Sequence, residues 1–284
     1  MRKYFSLITF SHTVFALPFA IIGFTLGTRQ PGAEPFRWAD LLLVIACMVF
    51  ARSAAMAFNR YIDSDIDKLN KRTAQREIPS GVISKKRALF FVLLNAVAFV
   101  ICAGLLNTLC LYLSPIALLV ILGYSYTKRF TWLCHFILGL GLSLAPIGAY
   151  IAVTETFQIL PILFSLAVFT WVSGFDIIYA LQDEDFDVEN NLYSIPVKMG
   201  KTNAIILSIF LHFNTILLLC YAGLYIEFGT WYWVGAGLFT GLLIYQHLIV
   251  KPNDLSRINR AFFTTNGIAS VIFGIFVIFD LIYF

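Results

Sequence analysis

Residues 41–67 read LLLVIACMVFARSAAMAFNRYIDSDID: eighteen almost uninterrupted apolar positions, then an amide, a base and three aspartates within nine residues. An apolar run of that length spans the hydrocarbon of a bilayer as a helix, so the acids fall where the chain leaves the membrane. Residues 157–187 repeat the arrangement, with FQILPILFSLAVFTWVSGFDIIYAL running into QDEDFD. Working outward from these two stretches, the rest of the chain has the same character. Of its residues 60% are hydrophobic and 13% charged, against about 25% charged in a soluble domain. Nine apolar runs are legible, at 8–27, 41–58, 88–106, 109–126, 132–153, 157–181, 204–226, 231–250 and 262–284. The predicted fold is an all-α integral membrane protein, a single unit over residues 1–284 with no linker or low-complexity tract.

Lys and Arg are sorted among the connections. The 59–87 connection holds Arg60, Lys68, Lys71, Arg72, Arg76, Lys85, Lys86 and Arg87. Lys128 with Arg129, Lys198 with Lys201, and Lys251 with Arg257 and Arg260 mark others on the same side, and Arg2 and Lys3 precede the first run. The opposite connections carry only Arg29 and Arg37. The positive-inside rule then puts the N-terminus and the charged loops in the cytoplasm and, with nine spans, the C-terminus outside. The first run has no small-residue cleavage site after it and reads as a retained span rather than a signal peptide. The expected location is a bacterial plasma membrane. The net charge of +4 follows from this topology and suits anionic headgroups; it does not describe a nucleic-acid surface. Cys47, Cys102, Cys110, Cys134 and Cys220 lie scattered in apolar runs without a C-x-x-C pair and read as small hydrophobes.

Set one above the other, the two acidic stretches share their spacing. Asn59, Asp63 and Asp67 match Tyr179, Asp183 and Asp187, and Asp65 matches Asp185. Two four-helix halves plus one extra helix would explain the echo. Positions i, i+4 and i+8 form one helical stripe, so each triplet faces one way, while Asp65 and Asp185 point elsewhere. Carboxylates one turn apart repel, more so at a membrane boundary, and call for a cation. Mg²⁺ prefers hard oxygen ligands and bridges carboxylates to substrate phosphates. Two facing stripes would hold a diphosphate between metal ions, with Arg60, Lys68, Lys71, Arg72, Arg76, Lys128 and Arg129 nearby to share its charge. Lys85, Lys86, Arg87 and the 251–260 cluster read as solvated anchors.

Two charged residues are counted inside spans. Arg52 lies seven before Asn59 and Asp176 seven before Asp183, which places both beneath the acidic mouth. There Arg52 would hold a carboxylate or phenolate of an aromatic acceptor, or else pair with Asp176. His12 has no companion at ligand spacing and reads as core. The 28 phenylalanines fill bundle and lipid surfaces, some of them available to shield a carbocation.

The motifs carry a resemblance. FNRYIDSDIDKLNKRTAQREIPSG (58–81) resembles the first Asp-rich motif, N-x-x-x-D-x-x-x-D, of the UbiA superfamily of intramembrane prenyltransferases. GFDIIYALQDEDFDVENNLYSIPVKMGK (174–201) resembles the second, GYSYTKRFTWLCHFILG (123–139) the family's Tyr-x-x-x-Lys-Arg segment, and SHTVFALPFA (11–20) its first helix. The phrases RTAQREIP and GFDIIYALQD are most similar to the 4-hydroxybenzoate polyprenyltransferase branch, which includes relatives in the futalosine route to menaquinone. The resemblance covers almost the whole chain. It implies nine transmembrane helices around a central cavity open sideways to lipid, and transfer of a polyprenyl group from its diphosphate to a small aromatic acceptor in ubiquinone or menaquinone formation. It also implies Mg²⁺–diphosphate held by Asn59, Asp63, Asp67, Asp183 and Asp187, with the four aspartates catalytic. Lys128 or Arg129, with Arg60 or Arg72, would hold the phosphates, and Tyr124 and Tyr179 would lie nearby. The chain departs from the common N-D start of motif one by carrying Asn59-Arg60, which alters the expected phosphate contacts. CDP-alcohol phosphotransferases also set aspartates on membrane helices, but their D-G-x-x-A-R motif is absent. A transporter would call for ionisable residues at mid-membrane on several spans.

Overall fold

The computed structural model describes residues 15–31 and 36–283. His12, Arg2, Lys3 and the start of the first apolar run lie outside them. Among the described residues there are no strands, and nine helices correspond one to one with the nine runs: α1 (Leu17–Thr28), α2 (Trp38–Ile62), α4 (Lys85–Leu106), α5 (Thr108–Thr127), α6 (Cys134–Thr154), α7 (Ile159–Ala180), α9 (Ile195–Tyr225), α10 (Thr230–Ile249) and α11 (Asn266–Tyr283). Two single-turn helices, α3 (Ser64–Leu69) and α8 (Glu184–Glu189), follow α2 and α7 and carry the acidic clusters. Among the described residues seven spans are long and apolar enough to cross a membrane; the shorter α1 and the 20-residue α10 complete the bundle. The chain is a multi-pass membrane protein.

Local chemistry explains several boundaries. Ser84 caps α4 and Asn107 caps α5 by accepting the backbone N–H three residues on, which satisfies a donor that the first turn leaves free. Asn107 also donates to the carbonyls of Ile151 and Ala152 at the end of α6, tying the α4–α5 turn to its neighbour. Helix α9 begins nine residues earlier than its apolar run, because Ser194 caps it and Pro196 occupies its first turn. Gly200, at φ 79°, then kinks it just before the apolar run begins. A π turn at Arg260–Thr265 leads into α11.

The core has an aromatic centre and a looser flank. Trp171 on α7 lies 5.5 Å from Phe19 of α1 and 5.4 Å from Phe239 of α10, and Phe239 lies 5.4 Å from Phe273 of α11. Lipid offers no hydrophobic drive between helices, so association rests on close packing. At Gly23 a Cβ would stand 2.0 Å from the Pro146 carbonyl oxygen, so α1 can meet α6 only through a hydrogen. Helix α7 is the most enclosed span, whereas α4 and α5 expose most of their surface. Between that flank and the α6–α7 core lies the cavity described below.

The count of two charged residues within spans needs correction. Asp280 falls inside the ninth run and is 2% exposed. Its carboxylate accepts from the backbone N–H of Gly229 (2.8 Å) and Tyr232 (3.1 Å). It caps the N-terminus of α10 from α11, a tertiary role that no local spacing reveals.

Candidate active site

Motif one is a helix that breaks without losing its phase. Asp63 leaves helical geometry, with ψ at 2°, yet its N–H still bonds Asn59 O at 2.9 Å and Asp67 N–H bonds Asp63 O at 2.7 Å. The expected stripe survives: Asn59 Nδ2 donates to Asp63 Oδ2 at 3.0 Å, and Asn59, Asp63 and Asp67 all line the cavity. Asp65 points outward to Lys85 (2.8 Å) and Asp185 is exposed, as their phase predicts. The following loop folds back because Asn70 Oδ1 accepts from Arg72 N–H and the buried Thr73 hydroxyl donates to Asp67 O. That fold-back aims two guanidiniums at the acids. Arg76 Nη1 reaches both Asp67 oxygens at 2.9 Å, and Arg72 forks onto Asp183 of motif two, its Nη2 2.7 Å from Oδ2. Arg60 stays on the cavity wall and pairs with Glu77.

Motif two continues α7 through a 3₁₀ turn, Leu181–Asp183, into α8. Asp183 faces the cavity, whereas Asp187 is fully buried beside it with Lys128 Nζ 2.7 Å from Oδ1, a close ion pair rather than a well-angled hydrogen bond. The next residue, Arg129, donates to Asp63 Oδ1 (3.1 Å) and Ile62 O (2.8 Å). Two consecutive residues at the end of α5 therefore grip one acid from each motif. The four acids of the two stripes each have a cation: Asp63–Arg129, Asp67–Arg76, Asp183–Arg72 and Asp187–Lys128. Burial, and then the nearby Asp67, push the Asp63 carboxyl above its usual range, with Arg129 pulling the other way. Burial alone would depress Lys128, but contact with Asp187 outweighs it and raises the ammonium above its ordinary value.

Below this crown runs an apolar cavity of about 640 Å³. Its lining on α2 extends from Asp63 to Val44, a rise of about 28 Å at 1.5 Å per residue and close to the hydrocarbon thickness. Arg52 and Tyr124 sit on its wall. Tyr179 stacks on Phe262 at 4.1 Å, and its hydroxyl accepts from Arg72 Nη1 at 3.4 Å. The Arg52–Asp176 pair does not form. Asp176 instead takes His135 Nδ1 at 2.7 Å, and Arg52 has no ion-pair partner among the described residues, its Nε buried and unbonded. Sequence spacing missed His135, because its partners come from α7 and α9, and set Arg76 near the first cluster without a task.

The donors fit a hard divalent cation. The three cavity-facing carboxylates of the two motifs, Asp63, Asp67 and Asp183, and the Asn59 amide are oxygen ligands of the Mg²⁺ type, although among the described residues no three acidic, His or Cys side chains converge tightly enough to form a preassembled metal cluster. Acidic and basic side chains meeting over an oily, membrane-length cavity define a membrane-embedded transferase for substrates with a charged head and an apolar body. The chain matches the UbiA prenyltransferase family over residues 16–268. It is 32% identical over 239 residues to a 4-hydroxybenzoate octaprenyltransferase of Aliivibrio fischeri, covering 83% of this chain and 82% of that one. Its fold superposes with a TM-score of 0.84 on the apo structure of a UbiA homologue from Aeropyrum pernix K1, at 34% identity over 95% of this chain and 98% of that one. A more distant homologue from Archaeoglobus fulgidus, solved bound to DMAPP and Mg²⁺, shares the fold at a TM-score of 0.76 and 21% identity, covering 99% of this chain and all of that one. The chain belongs to the UbiA prenyltransferase family and is a prenyltransferase.

Proposed function

We propose that this enzyme transfers a polyprenyl group from polyprenyl diphosphate to 4-hydroxybenzoate or a closely similar aromatic acid in respiratory quinone biosynthesis, with Mg²⁺ as cofactor and with its acidic mouth on the cytoplasmic face of a bacterial plasma membrane. The observation that carries the reading is the crown of four acid–base pairs, shared between two motifs, over a cavity about as long as the bilayer is thick. Curated relatives named 4-hydroxybenzoate octaprenyltransferase support the acceptor.

Asn59, Asp63, Asp67 and Asp183, which line the cavity, and Asp187, once Lys128 turns from it to the phosphate, would hold Mg²⁺, which when bound neutralises charge on the departing diphosphate. Arg72, Lys128 and Arg129, which line the cavity, would take the phosphate oxygens, and Arg60 and Arg76 would add positive potential around them. The prenyl tail lies along the apolar wall. The cavity keeps water from the allylic carbon once its C–O bond has ionised, and the electron-rich ring attacks that carbon instead. Arg52, its Nε buried and unbonded and with no ion-pair partner among the described residues, would face the acceptor's carboxylate; a guanidinium inside a membrane is costly, and an anionic substrate offsets that cost.

The test is transfer in detergent from polyprenyl diphosphate to radiolabelled 4-hydroxybenzoate, with Asp63→Ala and Asp183→Ala beside the wild type. Transfer should need Mg²⁺ and vanish in both variants while membrane insertion persists. Normal transfer by either variant overturns the site, and diphosphate turnover with no labelled prenyl product overturns the acceptor.

A further inference from the structure

About two helical turns beneath Asp183, the cavity wall carries a carboxylate that takes no part in gripping the diphosphate. Asp176 lies seven residues before Asp183 on α7, some 10 Å deeper along the axis, and lines the cavity with His135. The hydrogen bonds define the imidazole's state. His135 Nε2 accepts from the Ile195 N–H, 3.4 Å away at the first turn of α9. Its proton is therefore on Nδ1, which donates to Asp176 Oδ2 at 2.7 Å. The ring is held from both sides and buried, and it fixes one oxygen of a carboxylate whose side chain keeps 15% exposure. No Lys or Arg pairs with Asp176 among the described residues. The ionisable groups around it are His135 and Cys134 of α6, Tyr124 of α5 and Tyr179 of its own helix. Arg52 lies on α2 eleven residues before Asp63, the counterpart of Asp183, and so about 6 Å deeper than Asp176. An aromatic acid anchored there by its carboxylate would turn its far edge toward the α6–α7 wall.

We infer that Asp176, oriented by His135, is the base that accepts the ring-hydroxyl proton of the aromatic acceptor; the inference rests on the prenyl-transfer reading above. The O–H bond breaks toward Asp176 as the ring pair forms the new C–C bond to the allylic carbon, while the C–O pair leaves with diphosphate. The resulting ring ketone then loses its ring-carbon proton to the released diphosphate, and Asp176 returns its proton to the oxygen, restoring the phenol. Asp176 ends unchanged, and one proton leaves with the diphosphate. Asp176 is a catalytic residue in this scheme and His135 a positioning one.

The experiment uses the full chain in detergent with polyprenyl diphosphate, Mg²⁺, 4-hydroxybenzoate and ring-fluorinated analogues whose hydroxyls are more acidic. Asp176→Asn should lower kcat for 4-hydroxybenzoate by about a hundredfold with little change in KM, and the deficit should shrink as the acceptor hydroxyl becomes more acidic. His135→Leu should show the same trend with a smaller loss, and His135→Asn, which keeps an N–H at the Nδ1 position, should recover most of it. A deficit in Asp176→Asn equal for all acceptors, or absent, overturns the proposal, since a purely structural acid has no reason to track acceptor acidity. Binding of an unreactive prenyl thiolodiphosphate should be unchanged in all three variants. Failure of the wild type to bind it would instead overturn the prenyl-transfer reading, and the dyad with it.

Discussion

Arg72 is the side chain through which the first acidic cluster touches the second. Its fork spans both oxygens of Asp183 from a loop more than a hundred residues away in sequence, and its guanidinium carbon lies 5.8 Å from the centre of the Tyr179 ring. Arg72→Ala should lower kcat/KM for the prenyl diphosphate by roughly 10²–10³, the usual loss on removing one preorganised charge-stabilising donor. Arg72→Lys should recover only part, because an ammonium cannot reproduce a bidentate fork. Steady-state kinetics at saturating acceptor decide this, and wild-type kinetics in Arg72→Ala would remove Arg72 from the diphosphate site. Arg52 belongs to the other substrate. Arg52→Leu should raise KM for the aromatic acid by roughly tenfold to a hundredfold, as expected for one buried charged hydrogen bond, and leave prenyl diphosphate binding intact; titrating each ligand separately shows which one moves. At this scale much could be read from the chain. Asn59, Asp63, Asp67 and Asp183 follow from spacing because i, i+4 phase is local. Burial of Asp187 on Lys128 and pairing of Asp176 with His135 depend on helices that spacing does not relate.

At the scale of elements, the two short helices α3 and α8 do what a continued membrane helix could not. In α3 the break turns Asp67 across the mouth while its N–H keeps the i, i+4 bond to Asp63, and in α8 it carries Asp187 into a buried pair with Lys128 beside the cavity, so an acidic stripe can be both helical and bent. The sequence marked the stripes but not the breaks, since neither Asp63 nor Asp183 is followed by glycine or proline. The same limit hid Asp280, whose partners are the backbone N–H groups of a different helix. Its role is structural, and its test is stability. Asp280→Ala leaves two donors at the start of α10 without their acceptor and should cost roughly 1–3 kcal/mol. Thermal denaturation in detergent should fall accordingly, with KM for both substrates unchanged in the folded fraction. No loss of stability would mean that water replaces the cap.

For the whole molecule, the fold itself should not depend on the metal it is built to use. In a zinc finger the ligands have no other partners, and removing the ion unfolds the domain. Here each of the four acids already has a cation of the protein, drawn from the 70–84 loop or the end of α5, and the aromatic core around Trp171 lies on helices that carry none of the motif-one acids. Chelation with EDTA should therefore abolish transfer while far-UV circular dichroism and the size-exclusion profile stay those of the untreated protein, and added Mg²⁺ should restore activity. The thermal midpoint should rise with Mg²⁺ only as ligand linkage dictates, by RT ln(1 + [Mg²⁺]/Kd) in free energy, and more when a prenyl diphosphate is present to share the ion. Restoration also tests the direction of the argument. If chelated protein aggregates or loses helix, the arginines and Lys128 are not sufficient counter-ions, and the acid–base pairs at the mouth cannot be what holds the two motifs together before substrate arrives.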